Sequence, residues 1–430
     1  MADLRHHGGT PMTSPAVSLP APSDRARAAR LAVNLLFLAN GFTASSILPR
    51  LPAIKDGLGL SNAELGAAVA AMPIGGLVAG GFVGLLIARF GSGRLAIAAG
   101  LLDTVVLAIL GLSGSWLALA ATYFLLGMFD ATLDASMNSH GIGVERQFRR
   151  SVFQGFHGMW SAGCMLAGAA GAVAAGANVP VSVHLVLASL VTAGLVIAAA
   201  PRVLAREIAD AHPEDDVAGH EPISLRSLPW MLRILVPIAM LGILCTILQN
   251  AAAAWGAIFL ADILGQPAGI AALGFVVYMA AMTVARMTND RWIDRLGKTT
   301  VVRLGALIGA GGVGLIMASA PLASPLVAFM GFALIGLGSS PMFPVMSVTA
   351  GTVPGIPAGY GVALVSWLVR FGLVVAPAVI GWAADQTGLA LALLFPVAAS
   401  LAVAVLASPL TGAKLALQAH RDPVAAPAAE

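Results

Sequence analysis

Apolar stretches long enough to cross a lipid bilayer recur along the whole chain. A helical span needs about 20 predominantly apolar residues to cross a hydrocarbon core of roughly 30 Å. Since 58% of the 430 residues are apolar and only 10% are charged, we predict a polytopic membrane protein. The stretches form two sets of six: 31–48, 62–88, 95–112, 116–142, 151–175 and 181–200, then 231–257, 267–289, 299–319, 325–350, 358–384 and 389–409.

These stretches predict an all-α fold of twelve transmembrane helices in two pseudo-symmetric six-helix bundles, at 31–200 and 231–410. Most of the 23 Lys and Arg residues would be cytoplasmic if the N-terminus is, which the positive-inside rule favours. We therefore expect a multi-pass monomer in the inner (plasma) membrane with both termini cytoplasmic. The polar linker 201–230 and the tails 1–30 and 411–430 would also be cytoplasmic, and we expect the N-terminal tail, rich in Pro, Ser and Gly, to be disordered.

The two halves also look related in sequence. "IARFGSGR" (87–94) follows the second stretch, and "IDRLGKTT" (293–300) follows the eighth. Such repetition indicates two related bundles with a binding site between them. Arg286, close to the second turn, is expected to extend towards the membrane–water interface or to join the salt bridges of that turn. We expect the two turns to act in cytoplasmic gating through Arg89, Gly91, Arg94, Arg286, Asp294, Arg295 and Gly297.

The six-plus-six plan and these turns resemble the major facilitator superfamily, whose signature after the second span runs roughly G-x-x-x-D-R-x-G-R. Ala88 replaces the aspartate in the first half, whereas Asp294 keeps it in the second, together with the salt bridge it implies. A narrower resemblance is to fucose-permease-like transporters and the YbjJ-like branch. It rests on "RLPAIKD" (50–56), "LDASMN" (133–138) and "GFHGMWSAG" (155–163). The resemblance implies a secondary active transporter that works by alternating access.

The fourth span carries Asp130, Asp134 and Asn138 at spacings of four residues, which places them on one helical face. Because a charge at the bilayer centre costs roughly 3 kcal/mol, this face should line a cavity. The fucose-permease-like resemblance implies a proton-coupling role for Asp134, since those transporters have an acidic residue followed four places later by asparagine. Asp134 could instead make a structural hydrogen bond, and the same two alternatives apply to Asp130. Asp103, in the third span, is expected to be structural.

Other polar side chains in the spans are candidates for proton transfer or solute binding. His157 fits either a packing role or a proton relay, because histidine titrates near neutral pH. Arg370 could bind an anionic group of the solute or neutralise a carboxylate such as Asp130. The amides could bind a polar solute or form interhelical hydrogen bonds. The predicted solute-binding residues are Asn40, Asn138, Gln249, Asn250, Trp255 and Arg370.

The motifs favour a transporter over other classes of membrane protein. There is no H-E-x-x-H, G-x-S-x-G or paired-cysteine signature and no sizeable soluble domain, which argues against an enzyme or a sensor. We therefore expect no cofactor, metal or nucleic-acid partner. The function we predict is proton-coupled symport of a small polar solute, for which a sugar-like compound is one candidate. The alternative is a proton-driven drug or metabolite exporter, although the fifth span lacks the Gly-Pro pair of that branch.

Overall fold

Helices make up almost all of the backbone that the computed structural model describes, namely residues 23–148, 152–204, 228–353 and 358–410. Twelve segments within these ranges are long and apolar enough to cross a membrane, which confirms the predicted all-α fold. The long helices, numbered α1 to α12, are Asp24–Ser46, Asn62–Gly80, Ser92–Leu110, Trp116–Phe148, Phe153–Gly176, Val181–Ala199, Leu228–Ala253, Ala268–Arg286, Lys298–Ser319, Pro325–Ser339, Ala358–Thr387 and Leu394–Leu406.

Short helices extend or link several of these spans. A 3₁₀ turn and a helix follow α1, and a short helix and a π-helix follow α7, while α10 continues after a break at Pro341. The two turns that resemble each other in sequence each contain an eight-residue helix. In chain order the short elements are Leu48–Arg50, Leu51–Leu58, Val83–Phe90, Ala200–Arg202, Gly256–Ile258, Phe259–Ile263, Asn289–Leu296, Met342–Gly351, Leu389–Ala392 and Ser408–Leu410.

The first helix begins earlier than the apolar pattern predicts. α1 starts at Asp24, whereas the sequence places the end of the tail at residue 30. The reason is local: the Ser23 side chain accepts a hydrogen bond from the backbone N–H of Ala26, and Asp24 complements the positive end of the helix dipole. The remainder of that tail, most of the linker and the tail 411–430 lie outside the described residues.

The two halves of the chain meet through two pairs of helices. α2 packs against α11, and α5 packs against α8, while α1 and α7 pack mainly within their own halves. In a six-helix repeat α2 corresponds to α8 and α5 corresponds to α11, so the two contacts are equivalent. This is the arrangement that two related six-helix bundles produce.

The two sequence-related turns have the same backbone conformation. Gly91 has φ 84° and Gly297 has φ 80°, a region that glycine adopts without strain. In each turn the glycine N–H donates to the carbonyl four residues earlier, at 2.8 Å, in Ile87 and Ile293 respectively. The end of the bundle that carries the helices Val83–Phe90 and Asn289–Leu296 is called the turn end below.

The opposite end of the bundle holds the two halves together through polar contacts. Lys55 Nζ lies 2.6 Å from Asp262 Oδ2, which joins the extension of α1 to that of α7. The carboxylate of Asp385, in α11, accepts hydrogen bonds from the N–H groups of Asn62 (3.0 Å) and Ala63 (2.7 Å) at the start of α2. We call this end the Lys55 end.

Candidate functional site

The polar face of α4 is arranged as its spacing predicts. Asp130, Asp134 and Asn138 are each partly accessible and are not sealed inside the bundle. The Asn138 amide donates to the backbone oxygen of Asp134 at 2.7 Å and to its Oδ1 at 3.0 Å. No described residue donates to the Asn138 side-chain oxygen, so this oxygen is available to a ligand. We call these three residues the α4 stripe.

Asn40 joins the stripe to two neighbouring helices. Its Nδ2 donates to Asp130 Oδ1 at 2.7 Å, and its Oδ1 accepts from Trp160 Nε1 at 3.0 Å. Because the indole can only donate, it fixes the Asn40 amide with its NH₂ group towards Asp130. Asp130 is thereby held by the Asn40 amide of α1, whose orientation is fixed by Trp160 of α5.

A glycine allows this contact between α1 and α5. A side chain at Gly41, next to Asn40, would collide with the carbonyl oxygen of Trp160. Similarly, a side chain at Gly163, one turn after Trp160, would collide with the carbonyl oxygen of Leu38. The two backbones can therefore approach closely enough for the Asn40 and Trp160 side chains to bond.

Arg370 faces the α4 stripe from the other half of the chain. Its guanidinium occupies space left by Gly76 of α2, where a Cβ would lie 2.8 Å from Arg370 Nη1. Its charge acts on both Asp130 and Asp134. No carboxylate oxygen of the described residues lies within the 4 Å of an ion pair with it. The stripe and the arginine thus attract each other across the interface without direct contact.

His157 lies between the stripe and α8. The rings of Phe37 and Phe153 contact its imidazole edge-on, each with a centroid separation of 5.2 Å. The imidazole nevertheless remains exposed, and it interacts electrostatically with Asp134 and with Arg286. The structure therefore shows the packing contacts, and the role of His157 as a proton relay stays a prediction.

Arg286, expected to reach the membrane surface or to join the salt bridges of the turn, forms no ion pair with a described residue. Its Nε is buried without a hydrogen-bond partner among the described residues, and its charge acts on His157 and Tyr278. Tyr278, Met282 and Arg286 are spaced by four residues and therefore lie on one face of α8. Arg286 therefore belongs to the interface between α8 and α5.

The predicted solute-binding residues of α7 divide into two groups. Gln249 and Asn250 are partly accessible, and the Asn250 Oδ1 is buried without a described partner. Trp255 is only 1% exposed, so the prediction that it offers an aromatic surface to solute is wrong for this conformation. The reason is that α7 ends at Ala253 and the following turn directs Trp255 towards α11. There Gly381 leaves room for the ring, since a Cβ would lie 3.1 Å from Trp255 Cη2.

The charged residues of the turn end lie on the surface. Arg89, Arg94, Asp294 and Arg295 are all exposed, and the Arg89 guanidinium lies 5.6 Å from the centre of the Phe90 ring. The salt bridge implied for Asp294 is not formed with any described basic residue in this conformation. The two turns share the same glycine conformation, and Asp294 lacks that ion pair among the described residues.

Sequence reasoning missed two residues that shape this site. Trp160 orients Asn40, and Gly76 makes room for Arg370. Trp160 lies three residues after His157 in "GFHGMWSAG", and Gly76 begins a small-residue pair with Gly80. A polar aromatic residue and a small residue facing another helix were therefore the available signals.

The sequence model of the Major Facilitator Superfamily matches residues 33–358, which is more than half of the chain. The chain belongs to this family. It is accordingly a membrane transporter, and the prediction that it is not an enzyme is confirmed. The narrower resemblance to the fucose-permease-like and YbjJ-like branch stays a prediction.

Relatives and solved structures agree with the family assignment. An uncharacterized MFS-type transporter of Yersinia pestis is 28% identical over 384 residues, covering 86% of this chain and 94% of the relative. The nucleoside transporter NupG has a similar structure, with a TM-score of 0.71 and 12% identity over 91% of this chain and 99% of its own. A D-xylose-proton symporter has a TM-score of 0.68 and 14% identity, with coverages of 89% and 97%. Because the identities are only 12% and 14%, these two similarities show that the fold is shared.

Proposed function

We propose that this family member is a secondary active transporter that couples a small polar solute to protons by alternating access. The observation that carries the proposal is the placement of Asp130 and Asp134 in one half, facing Arg370 in the other without a direct ion pair. Charged groups in a membrane span are costly, so such a pairing across the interface favours a functional role.

The electrostatics of this arrangement link protonation to conformation. Attraction between Arg370 and ionised Asp130 or Asp134 favours a conformation in which the two halves are close at this level. Binding a proton removes one negative charge and weakens that attraction. A proton therefore binds the two conformations with different affinity, which is the condition for shifting their equilibrium.

The accessible amides suit a neutral polar solute. The side-chain oxygen of Asn138 can accept from a hydroxyl or an amine, and the amides of Gln249 and Asn250 offer donors and acceptors from the other half. A solute held between these groups would contact both halves. Nucleosides and pentoses are reasonable first compounds, because the two proteins of similar structure are a nucleoside transporter and a D-xylose-proton symporter.

The orientation we propose places the turn end at the cytoplasm of an inner membrane. Both termini would then be cytoplasmic, as the distribution of Lys and Arg favours. In the conformation described, the Lys55 end would be the closed periplasmic side.

The test uses the purified protein in proteoliposomes. A thermal-shift screen of nucleosides and pentoses selects a solute, and its flux is measured under an imposed pH gradient. We expect the gradient to drive solute accumulation, and we expect Asp134→Asn to abolish that accumulation. Asp56→Asn, an exposed acidic residue of the Lys55 end, is the matched control and should behave as wild type.

Solute flux that ignores the gradient, with Asp134→Asn fully active, would contradict proton coupling. The sign of accumulation separates the two directions of transport. Solute that moves with the protons supports symport, and solute that moves against them supports the exporter alternative.

A further inference from the structure

Asp103, in the middle of α3, is a carboxyl group that forms no hydrogen bond of good geometry with any described residue. Its side chain is 1% exposed, and neither Oδ1 nor Oδ2 has a hydrogen-bond partner among the described residues. An ionised carboxylate sealed in this way, away from water and from any cation, is among the most costly groups a protein can contain. The group must therefore be neutral in this conformation.

A proton is the ligand that fits the space around this carboxyl. Both oxygens are covered by protein atoms so closely that a water-sized sphere cannot touch them. A sodium ion needs several oxygen ligands, and among the described side chains the hydroxyl of Thr43 is the polar group that faces the carboxyl. The geometry leaves room for an O–H bond but not for a coordinated metal ion.

A purely structural role does not account for the residue either. A buried protonated carboxyl in a structural role donates its O–H to an acceptor, as other buried polar groups do. Thr43 faces Asp103 without the geometry of a hydrogen bond, and no other described acceptor is in place. The carboxyl is therefore not explained by a bond it makes in this conformation.

Asp103 is instead linked to the α4 stripe. The negative charge of Asp130 acts on the Asp103 carboxyl. α1 lies beside both carboxyls: Asn40 bonds to Asp130, and Thr43, three residues later on the same helical face, is directed to Asp103. The two carboxyls are thus neighbours across α1, one at the accessible face and one behind it.

Of the helices packed on α3, Val83–Phe90 and α4 bring Arg89 and His140 to the start of α3, about 16 Å along the helix from Asp103. α6 contains one titratable side chain, His184, which interacts with Arg50. The charged residues of α1 lie at its start, and Arg30 is thirteen residues before Thr43, about 20 Å along the helix. Asp130 is therefore the titratable group of the described chain to which Asp103 responds.

We infer that Asp103 is a second proton-binding site, which holds its proton in this conformation and releases it when the surrounding helices rearrange. Release breaks the O–H bond of the carboxyl and delivers the proton to water at the α4 stripe. Its role in transport rests on the proposed function, whereas its proton binding does not.

The experiment uses the proton itself as the probe. Infrared spectra of the purified wild-type protein should contain, at neutral pH, the carbonyl band of a protonated carboxylic acid with little hydrogen bonding. We expect Asp103→Asn to lose this band and the double variant Asp130→Asn/Asp134→Asn to keep it. In Asp130→Asn the band should disappear at a lower pH than in wild type, because a neighbouring negative charge has been removed.

A second measurement tests whether the proton is exchangeable. After an alkaline pH jump, a pH-indicator dye counts the protons that the protein releases, and Asp103→Asn should release one fewer than wild type. Equal proton release would overturn the inference, as would a wild-type spectrum without the band. If Asp103→Asn fails to fold, Asp103→Glu takes its place: the band should move to a different frequency, and an unmoved band would overturn the assignment.

These outcomes can be told apart from a failure of the proposed function. If solute flux ignores the pH gradient while Asp103→Asn loses both the band and one released proton, the proton site stands and the coupling does not. If flux follows the gradient and Asp103→Asn changes neither the band nor the number of released protons, the coupling stands and the proton site does not.

Discussion

Lys55 and Asp262 form an ion pair that joins the two halves of the transporter, with Nζ and Oδ2 2.6 Å apart. The two side chains are 14% and 33% exposed, so solvent screens them only in part. The hydrogen bonds from the start of α2 to Asp385 lie at the same end. Under the alternating access that we propose, the halves separate at this end, and both contacts must then break.

Loss of the ion pair should favour opening of the Lys55 end. For Asp262→Asn we expect the free energy of closing this end to become less favourable by about 1 kcal/mol, near the upper value for partly exposed pairs. The ratio of closed to open molecules should then fall about fivefold. Spin labels at Gly57 and Ala268, on opposite halves, would report the shift as a longer distance distribution.

The effect should be specific to the pair. Asp56→Asn changes the neighbouring charge and should leave the distances as in wild type. The shift should also shrink at high salt, because added ions screen the wild-type pair. Identical distributions for wild type and Asp262→Asn would show that the ion pair does not stabilise closure.

Asp385 should contribute more to closure of the Lys55 end than the capping box at the start of α2 does. It accepts two backbone hydrogen bonds from α2 across the interface, and charge-assisted bonds at a helix start contribute about 1 to 2 kcal/mol. Asp385→Ala should therefore open the Lys55 end by roughly tenfold in the same spin-label measurement.

Glu64→Ala is the matched control for this prediction. The Glu64 side chain accepts from the Ser61 N–H at 2.9 Å, in a contact that lies entirely within one half. Its removal should lower the melting temperature and leave the ratio of open to closed molecules unchanged. An equal opening in both variants would mean that the stability of α2, and not the contact between halves, controls the equilibrium.

The spans and the α4 stripe were predictable because each depends on local periodicity. The apolar runs fixed the number of helices, and the four-residue spacing of Asp130, Asp134 and Asn138 placed them on one face. Likewise, the similarity of the two turns was visible in the sequence, and Gly91 and Gly297 adopt the same positive φ. These features need only the chain geometry within one helix or one turn.

Contacts between distant helices could not be predicted in the same way. Asn40 and Trp160 are separated by 120 residues, and nothing in either local sequence specifies their bond. Arg286 lies near the end of a span, but rotation about the helix axis decides which groups its charge reaches, and these include His157. Trp255 was misplaced because α7 ends two residues before it.

Two adjacent glycines should have different effects when replaced by alanine. At Gly75 the new Cβ would collide with the backbone of Phe124, which cannot move away, so Gly75→Ala should unfold or strongly destabilise the protein. At Gly76 the Cβ would lie 2.8 Å from the end of the Arg370 side chain, which can move. Gly76→Ala should therefore fold well and lose function.

We expect Gly76→Ala to keep a melting temperature near that of wild type and to lower proton-driven solute flux by about tenfold, the effect of roughly 1.4 kcal/mol. Gly84→Ala is the control, because nothing lies within 4 Å of a Cβ at that position. Wild-type flux in Gly76→Ala would show that the location of the Arg370 guanidinium does not matter for transport.

The hydrogen bond from Asn40 to Asp130 should stabilise the ionised carboxylate. A bond to a charged group contributes about 1.5 to 3 kcal/mol, whereas the bond from Trp160 to Asn40 joins two neutral groups and contributes about 1 kcal/mol. Asn40→Ala should therefore lower the melting temperature more than Trp160→Phe. Its effect should grow as the pH rises, since the bond is stronger when Asp130 is ionised.

A double-mutant cycle decides whether Asn40 acts through Asp130. In an Asp130→Asn background the charge is absent, so Asn40→Ala should cost much less than in wild type and lose its pH dependence. Trp160→Phe should show the same attenuation, because the indole acts on the carboxylate only by orienting the Asn40 amide. Full-sized effects of both substitutions in that background would mean that Asn40 and Trp160 hold α1 against α5 independently of the stripe.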